Sequence, residues 1–141
     1  MKIVSWNCRG LGNSSKVDDV KDLLRMDPSD VLLLQETKID EDNLLSLSKK
    51  NWKKNAGLVV SARGSSGGIA TLWTKNLFSM KNSLVTQHWI FFELRHLPSK
   101  ISLLFLISTN LSISRRKYIV GILSQKLLLR ILFPILWWLA I

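Results

Sequence analysis

The sequence predicts an α/β fold, in the form of an α+β sandwich built on mixed sheets, and three observations carry that expectation. A strand, a helix and a second strand fit within the first 35 residues, the length of a βαβ unit. A second helical stretch follows. Then come apolar runs separated by turn-forming segments, which is the pattern of antiparallel strands.

The elements follow in order. Lys2-Ile3-Val4-Ser5-Trp6 is rich in β-formers, and Gly10 and Gly12 end it. Asn13, Ser14 and Ser15 are helix-capping residues. Val17, Val20, Leu23 and Leu24 then recur at helical spacing, with Asp18, Asp19 and Lys21 opposite. Pro28 closes that helix, because proline lacks the donor and disfavours a helical residue before it. Residues 31–34 are an unbroken apolar run, as expected of a strand covered on both faces. Two strands joined by such a crossover run parallel, with a right-handed connection. Residues 40–50 form a weaker second helix with Leu44, Leu45 and Leu47 as its apolar positions. Residues 57–62 and 68–73 read as a hairpin closed by Arg63-Gly64-Ser65-Ser66-Gly67. Residues 89–94 and 101–107 are two more strands around a turn containing Pro98.

Charge divides the chain. All ten acids lie at or before Glu93, beside thirteen Lys and Arg, a balance of +3 that is ordinary for a folded domain. Beyond Glu93 stand seven Lys and Arg and no acid. The total of +10 fits a polyanionic partner, either nucleic acid or an anionic surface. Cys8 is the single cysteine, which excludes an internal disulfide. The N-terminus has no apolar signal region, so an intracellular location, nucleus or cytoplasm, is expected. The closing run LLLRILFPILWWLAI falls short of the ~20 apolar residues of a membrane span, so membrane association of the tail is not expected.

Two parallel strand tips point to a site. Neighbouring strands lie about 4.8 Å apart, so side chains just past their carboxyl ends can meet on one ligand. Glu36 supplies a hard oxygen there, and Asn7 an amide. One carboxylate with water and a substrate phosphate is a common way to hold Mg²⁺. Arg9 and Lys38 stand next to them as phosphate contacts. Elsewhere the ordinary readings prevail. Arg63 to Gly68 lacks the lysine and following helix of a nucleotide-binding loop, so no small-molecule cofactor is expected and a plain turn is. Trp52, Trp73 and Trp89 read as core or cross-strand residues, and His88 and His96 as surface or turn residues. Lys49, Lys50, Lys53 and Lys54 read as a solvated basic face.

MKIVSWNCRGLG followed by DVLLLQETK resembles the opening of the endonuclease/exonuclease/phosphatase domain, and most nearly that of plant LINE-type retrotransposons. GSSGGIATLW and WIFFEL resemble the next blocks of that branch. The resemblance covers residues 1–107 and implies a truncated form of a four-layered fold, two mixed sheets flanked by helices. It implies Mg²⁺-dependent, or Mn²⁺-dependent, hydrolysis of phosphodiester bonds in DNA. Asn7 matches the asparagine of the metal and phosphate pocket, and Glu36 the metal-binding glutamate.

The sequence then departs from the family. The family continues with a Tyr-containing strand end, an Asp-x-Asn segment, and a late Asp and His that serve as base and orienter. Here residues 107–111 read Ile-Ser-Thr-Asn-Leu, and no Asp follows Asp42. Residues 108–141 are therefore expected to be a divergent basic and apolar tail. Trp-Trp-Leu-Ala-Ile can be encoded TGG TGG TTG GCG ATT, which from its third base reads Val-Val-Gly-Asp, the start of the absent segment. The expectation is an endonuclease-like remnant with little or no activity alone. Beside it stands a non-catalytic reading, a basic remnant that binds nucleic acid or a membrane surface.

Overall fold

The computed structural model describes residues 1–26, 28–64 and 66–108, so all of the expected tail except Ser108 lies outside the described residues. The elements are β1 (Ile3–Asn7), α1 (Ser14–Met26), β2 (Val31–Gln35), α2 (Glu41–Leu47), a π-helical turn (Ser48–Trp52), β3 (Ala56–Val60), β4 (Ile69–Trp73), β5 (Phe78–Val85), β6 (Trp89–His96) and β7 (Ser102–Ser108). They form a four-stranded sheet of order β1-β2-β4-β3 and a three-stranded sheet of order β5-β6-β7. β1 and β2 are parallel, and every other pairing is antiparallel. This is the expected α/β sandwich with a mixed first sheet.

Alternation along the strands builds two cores. Ile3, Val31, Leu33, Ile69 and Trp73 face the second sheet and pack with Phe78, Ile90, Phe92, Leu94, Leu103, Phe105 and Ile107. The intervening residues Val4, Leu32, Leu34, Ala70 and Leu72 face the helices and pack with Val17, Val20, Leu44 and Trp52. The run at 31–34 is thus apolar throughout because both of its faces are covered. Between the sheets, Phe92 stacks on Trp73 at 6.1 Å and on Phe105 at 4.6 Å, joining β4, β6 and β7 through one aromatic column.

Two elements differ from expectation. The helix expected over 40–50 is α-helical only to Leu47, then widens into the π turn and stops at Lys53, whose φ is +54°. That widening brings Trp52, only 4% exposed, beneath α1, where its indole N–H donates to the Val17 carbonyl. The second difference is β5, which the sequence did not announce. β5 is an edge strand, exposed at every position from Met80 to Val85, and a register shift between Met80 and Asn82 breaks its alternation. An exposed strand with a bulge carries no period-two apolar signal.

Lys49, Lys50 and Lys53 are exposed as expected of a solvated face, but Lys54, just past the π turn, is instead buried and donates from Nζ to the Ser29 carbonyl at the foot of β2. Burial holds its ammonium below the usual lysine range, and Asp30 partly offsets that. Phe92 sits at the centre of the inter-sheet core with no exposed surface. Phe92→Ala is expected to lower unfolding free energy by about 3–5 kcal/mol, read from denaturant melts; a loss below about 1 kcal/mol would mean that the two sheets do not share this core.

Candidate functional site

The site is built where the chain leaves β1 and β2 and enters β4. The β1–β2 ladder ends at the pair Asn7 and Gln35, but the hydrogen bonding does not stop there. Cys8 N–H donates to the Gln35 carbonyl at 2.8 Å, Gly10 N–H to Glu36 at 2.7 Å, and Leu11 N–H to Thr37 at 2.8 Å. On the other side, Thr37 N–H donates to Gly68 and Lys38 N–H to Gly67, each at 3.1 Å. Three loops are therefore zipped together past the ends of their strands.

That zipper needs left-handed backbone at Arg9, Gly10, Glu36, Lys38, Gly67 and Gly68. Three of these six are not glycine, and each such residue costs about 1–2 kcal/mol relative to ordinary backbone. Unfavourable conformations held at one place by surrounding bonds are common at functional sites. Gly68, at φ +84°, could not be replaced easily: an added Cβ would lie 2.3 Å from the Thr37 hydroxyl oxygen. That hydroxyl is buried and has no hydrogen-bond partner among the described residues.

Within this frame the structure brings Asn7 and Glu36 into direct contact. Asn7 Nδ2 donates to Glu36 Oε1 at 2.9 Å, and Asn7 Oδ1 accepts from the Arg9 backbone N–H at 3.1 Å. The amide is held at both ends, and it fixes one oxygen of a half-buried carboxylate. Arg9 and Lys38 are both exposed. The Lys38 stem lies over Gly10, with its Cδ 3.3 Å from where a Cβ would stand.

Glu36 and Lys38 open into a cleft of about 410 Å³ that crosses from the first sheet to the second. Its other walls are the β3–β4 hairpin, with Arg63 and Ser66, and the β5–β6 turn, with Gln87 and His88. Arg9 is not among its lining residues, whereas Arg63, Gln87 and His88 were not expected at a site. Each is a turn residue, as the sequence suggested for Arg63 and His88. What places them together is topology, since the start of β4 and the start of β6 lie at the end where β1 and β2 finish. Gln35 marks the same junction, donating from Nε2 to the Ser108 carbonyl at 2.8 Å.

Among the described residues, no three or more His, Cys, Asp or Glu gather as a metal cluster. The donors present at the strand tips are one carboxylate and one amide, both hard oxygen ligands, beside a cleft with room for water. That set suits Mg²⁺, which keeps several waters and is often held by one carboxylate. Among the described residues, no helix is long and apolar enough to cross a membrane.

A model of the endonuclease/exonuclease/phosphatase family matches residues 4–107. No curated protein sequence matches the chain. Among solved structures, humanized D. rerio TDP2 is similar with a TM-score of 0.57 and 20% identity, over 75% of this chain and 45% of that one. The human Nocturnin catalytic domain with bound sulfate gives 0.60 and 17%, over 75% and 48%. The 3'-5' exonuclease from Neisseria meningitidis gives 0.51 and 21%, over 74% and 40%. The likeness at these identities is one of fold, and the chain spans less than half the length of each of these structures.

Cys8, buried beneath the zipper, yields a test of its packing. Burial is the main cause that raises its thiol from 9.0 to about 12, and the Glu36 carboxylate adds to it. A raised acid contributes stability that is complete below the unfolded value and lost as pH climbs toward the folded one. The wild type should therefore lose stability relative to Cys8→Ala between pH 9 and about 12, measured by denaturant melts at each pH. A constant difference across that window would show that the thiol is solvated.

Proposed function

The chain belongs to the endonuclease/exonuclease/phosphatase family across residues 4–107, and from that membership we propose that it carries the metal-and-phosphate wall of a DNA phosphodiesterase, with little turnover of its own. The observation that carries this reading is the Asn7–Glu36 hydrogen bond at two adjoining parallel strand tips, opening into a cleft with cationic walls. The similar D. rerio TDP2 structure with a single-strand DNA product supports DNA as the substrate class.

The family is generally dependent on a divalent metal, and Glu36 with Asn7 would hold it here. When bound, the ion would offset negative charge on the phosphoryl and leaving oxygens. The chain's own residues do the positioning. Asn7 holds the Glu36 carboxylate in one orientation, and its oxygen retains a second lone pair beyond the bond from Arg9. The zipped loops hold both residues without adjustment when substrate arrives, which is the preorganisation that favours a developing charge. Lys38 and Arg63 attract the phosphate backbone into the cleft.

Two measurements test this. Mg²⁺ should raise the thermal midpoint of the wild type and leave that of Glu36→Gln unmoved, because a ligand that binds only the folded state stabilises it. Nicking of supercoiled DNA should be weak, dependent on Mg²⁺, and lower by about 10²-fold or more in Glu36→Gln. Equal nicking by both proteins, or a Mg²⁺ shift that survives Glu36→Gln, would overturn the assignment.

The motif blocks SWNCRG, LQETK, GSSGGIATLW and WIFFEL support a place near LINE-type retrotransposon endonucleases. On that reading residues 108–141 are encoded out of frame. The nucleotide sequence of the locus should restore a Gly-Asp-Phe-Asn segment in a shifted frame, and a locus that restores nothing in either shifted frame would end the idea.

A further inference from the structure

One side of the sandwich carries two open strand edges. β1 ends the first sheet and β7 the second, and no described strand pairs with the outer edge of either. β7 packs over β2 and β4, while Phe92 of β6 stacks on Trp73 of β4. The sheets therefore run in the same order, and β1 stands one strand further out than β7. Direction and level match as well. Asn7 pairs with Gln35, and Gln35 reaches Ser108, so β1, β2 and β7 all finish at the end that carries the site.

The ladders show which groups face out. The Lys2 carbonyl accepts from Val31 and Cys8 N–H donates to Gln35, so alternate residues of β1 bond β2, and Ile3 and Ser5 turn their N–H and C=O groups outward. His96 N–H donates to the Ile101 carbonyl, so Leu103, Phe105 and Ile107 bond β6, whereas Leu104 and Leu106 turn theirs outward. Open edges recruit other chains unless they are guarded. The opposite edges are guarded: β5 carries Lys81 and a bulge, and β3 carries Gly57, which weakens pairing. The sequences IVSWN of β1 and SLLFLIS of β7 contain no charge, proline or glycine.

We infer that this stepped side is a dimer interface, and that its partner is a second copy of this chain. A two-fold axis along the strands, midway between the sheets, lays β1 of each copy beside β7 of the other as parallel neighbours. Rotation about that axis leaves every level unchanged, so the two strands meet tip to tip. The contact is isologous, and each four-stranded sheet is extended by the partner's three-stranded one. Other pairings fit less well. Joining β1 to β1 leaves β7 open, and joining β7 to β7 drives each projecting β1 into the partner's first sheet. With layers about 10 Å apart and strands about 17 Å long, the three-layered side offers roughly 500 Å² per copy, the lower limit for a specific interface, so the dimer is reversible in the micromolar range. The same rotation sets both Asn7–Glu36 pairs at one end of the dimer, one on each sheet, so the second copy adds a carboxylate and an amide to the site. The inference rests on the fold and not on the phosphodiesterase reading.

Sedimentation velocity of the full chain across the micromolar range should show a monomer–dimer equilibrium. Leu104→Pro removes an outward N–H and no bond to β6, and should weaken dimerisation by about tenfold or more. Ser83→Pro makes the same change on the outer edge of β5 and should leave the equilibrium where it was. Hydrogen exchange of the wild type gives a readout without substitution. Amide exchange at Ile3, Ser5, Leu104 and Leu106 should slow as concentration rises, while Ser83 and Val85 keep their rates. If Leu104→Pro does not fold, this pattern decides alone. A dimer protected elsewhere, or an equal loss in Leu104→Pro and Ser83→Pro, would overturn the interface. A wild type that stays monomeric would overturn it too, and slow exchange at Leu104 and Leu106 in that monomer would identify residues 109–141 as the occupant of the edge. The Glu36→Gln measurements decide the phosphodiesterase reading separately, so the two can fail independently.

Discussion

The site depends on backbone hydrogen bonds that continue after regular strand geometry has ended. β1, β2 and β4 could have parted at their tips into three independent loops. Instead Cys8, Gly10 and Leu11 bond to Gln35, Glu36 and Thr37, and Thr37 and Lys38 in turn bond to Gly68 and Gly67. Left-handed residues turn the chain between one bond and the next. Glu36 is therefore placed by main-chain constraint on both sides, and its side chain needs only one further bond, from Asn7, to be oriented. The conformational cost is met by the two cores below, which fix the strands that deliver these loops.

Much of this was legible because strong signals were local. The parallel pair β1 and β2 followed from a short apolar strand, a capped helix and a second apolar run, and Asn7 and Glu36 stood at their ends. The hairpin around Gly64 was equally readable from its turn residues. β5 was not, because an edge strand with exposed faces and a bulge at Lys81 buries too little to leave a pattern. The π turn after Leu47 was also silent, since what selects it is the burial of Trp52 against α1, a contact distant in sequence.

The second half of the cleft illustrates the same limit. Arg63, Gln87 and His88 lie in turns whose composition says only that the chain reverses there. Their meeting with Glu36 follows from the order of strands in two sheets and from which ends those strands share. Sequence spacing reports neighbours along one element, whereas a site that straddles two sheets is set by packing of the aromatic column that joins them.

The amide of Gln35 gives this arrangement a mechanical consequence. It lies at the tip of β2, buried, and bonds across the gap to the last carbonyl of β7. The two sheets are thus fastened at the mouth of the cleft and not only along their apolar faces. Sliding of one sheet over the other, the softest motion of a sandwich, is braked at the point where it would alter the distance between Glu36 and the β5–β6 turn. The width of the opening is thereby tied to one side-chain hydrogen bond at its rim, as well as to the apolar packing behind it.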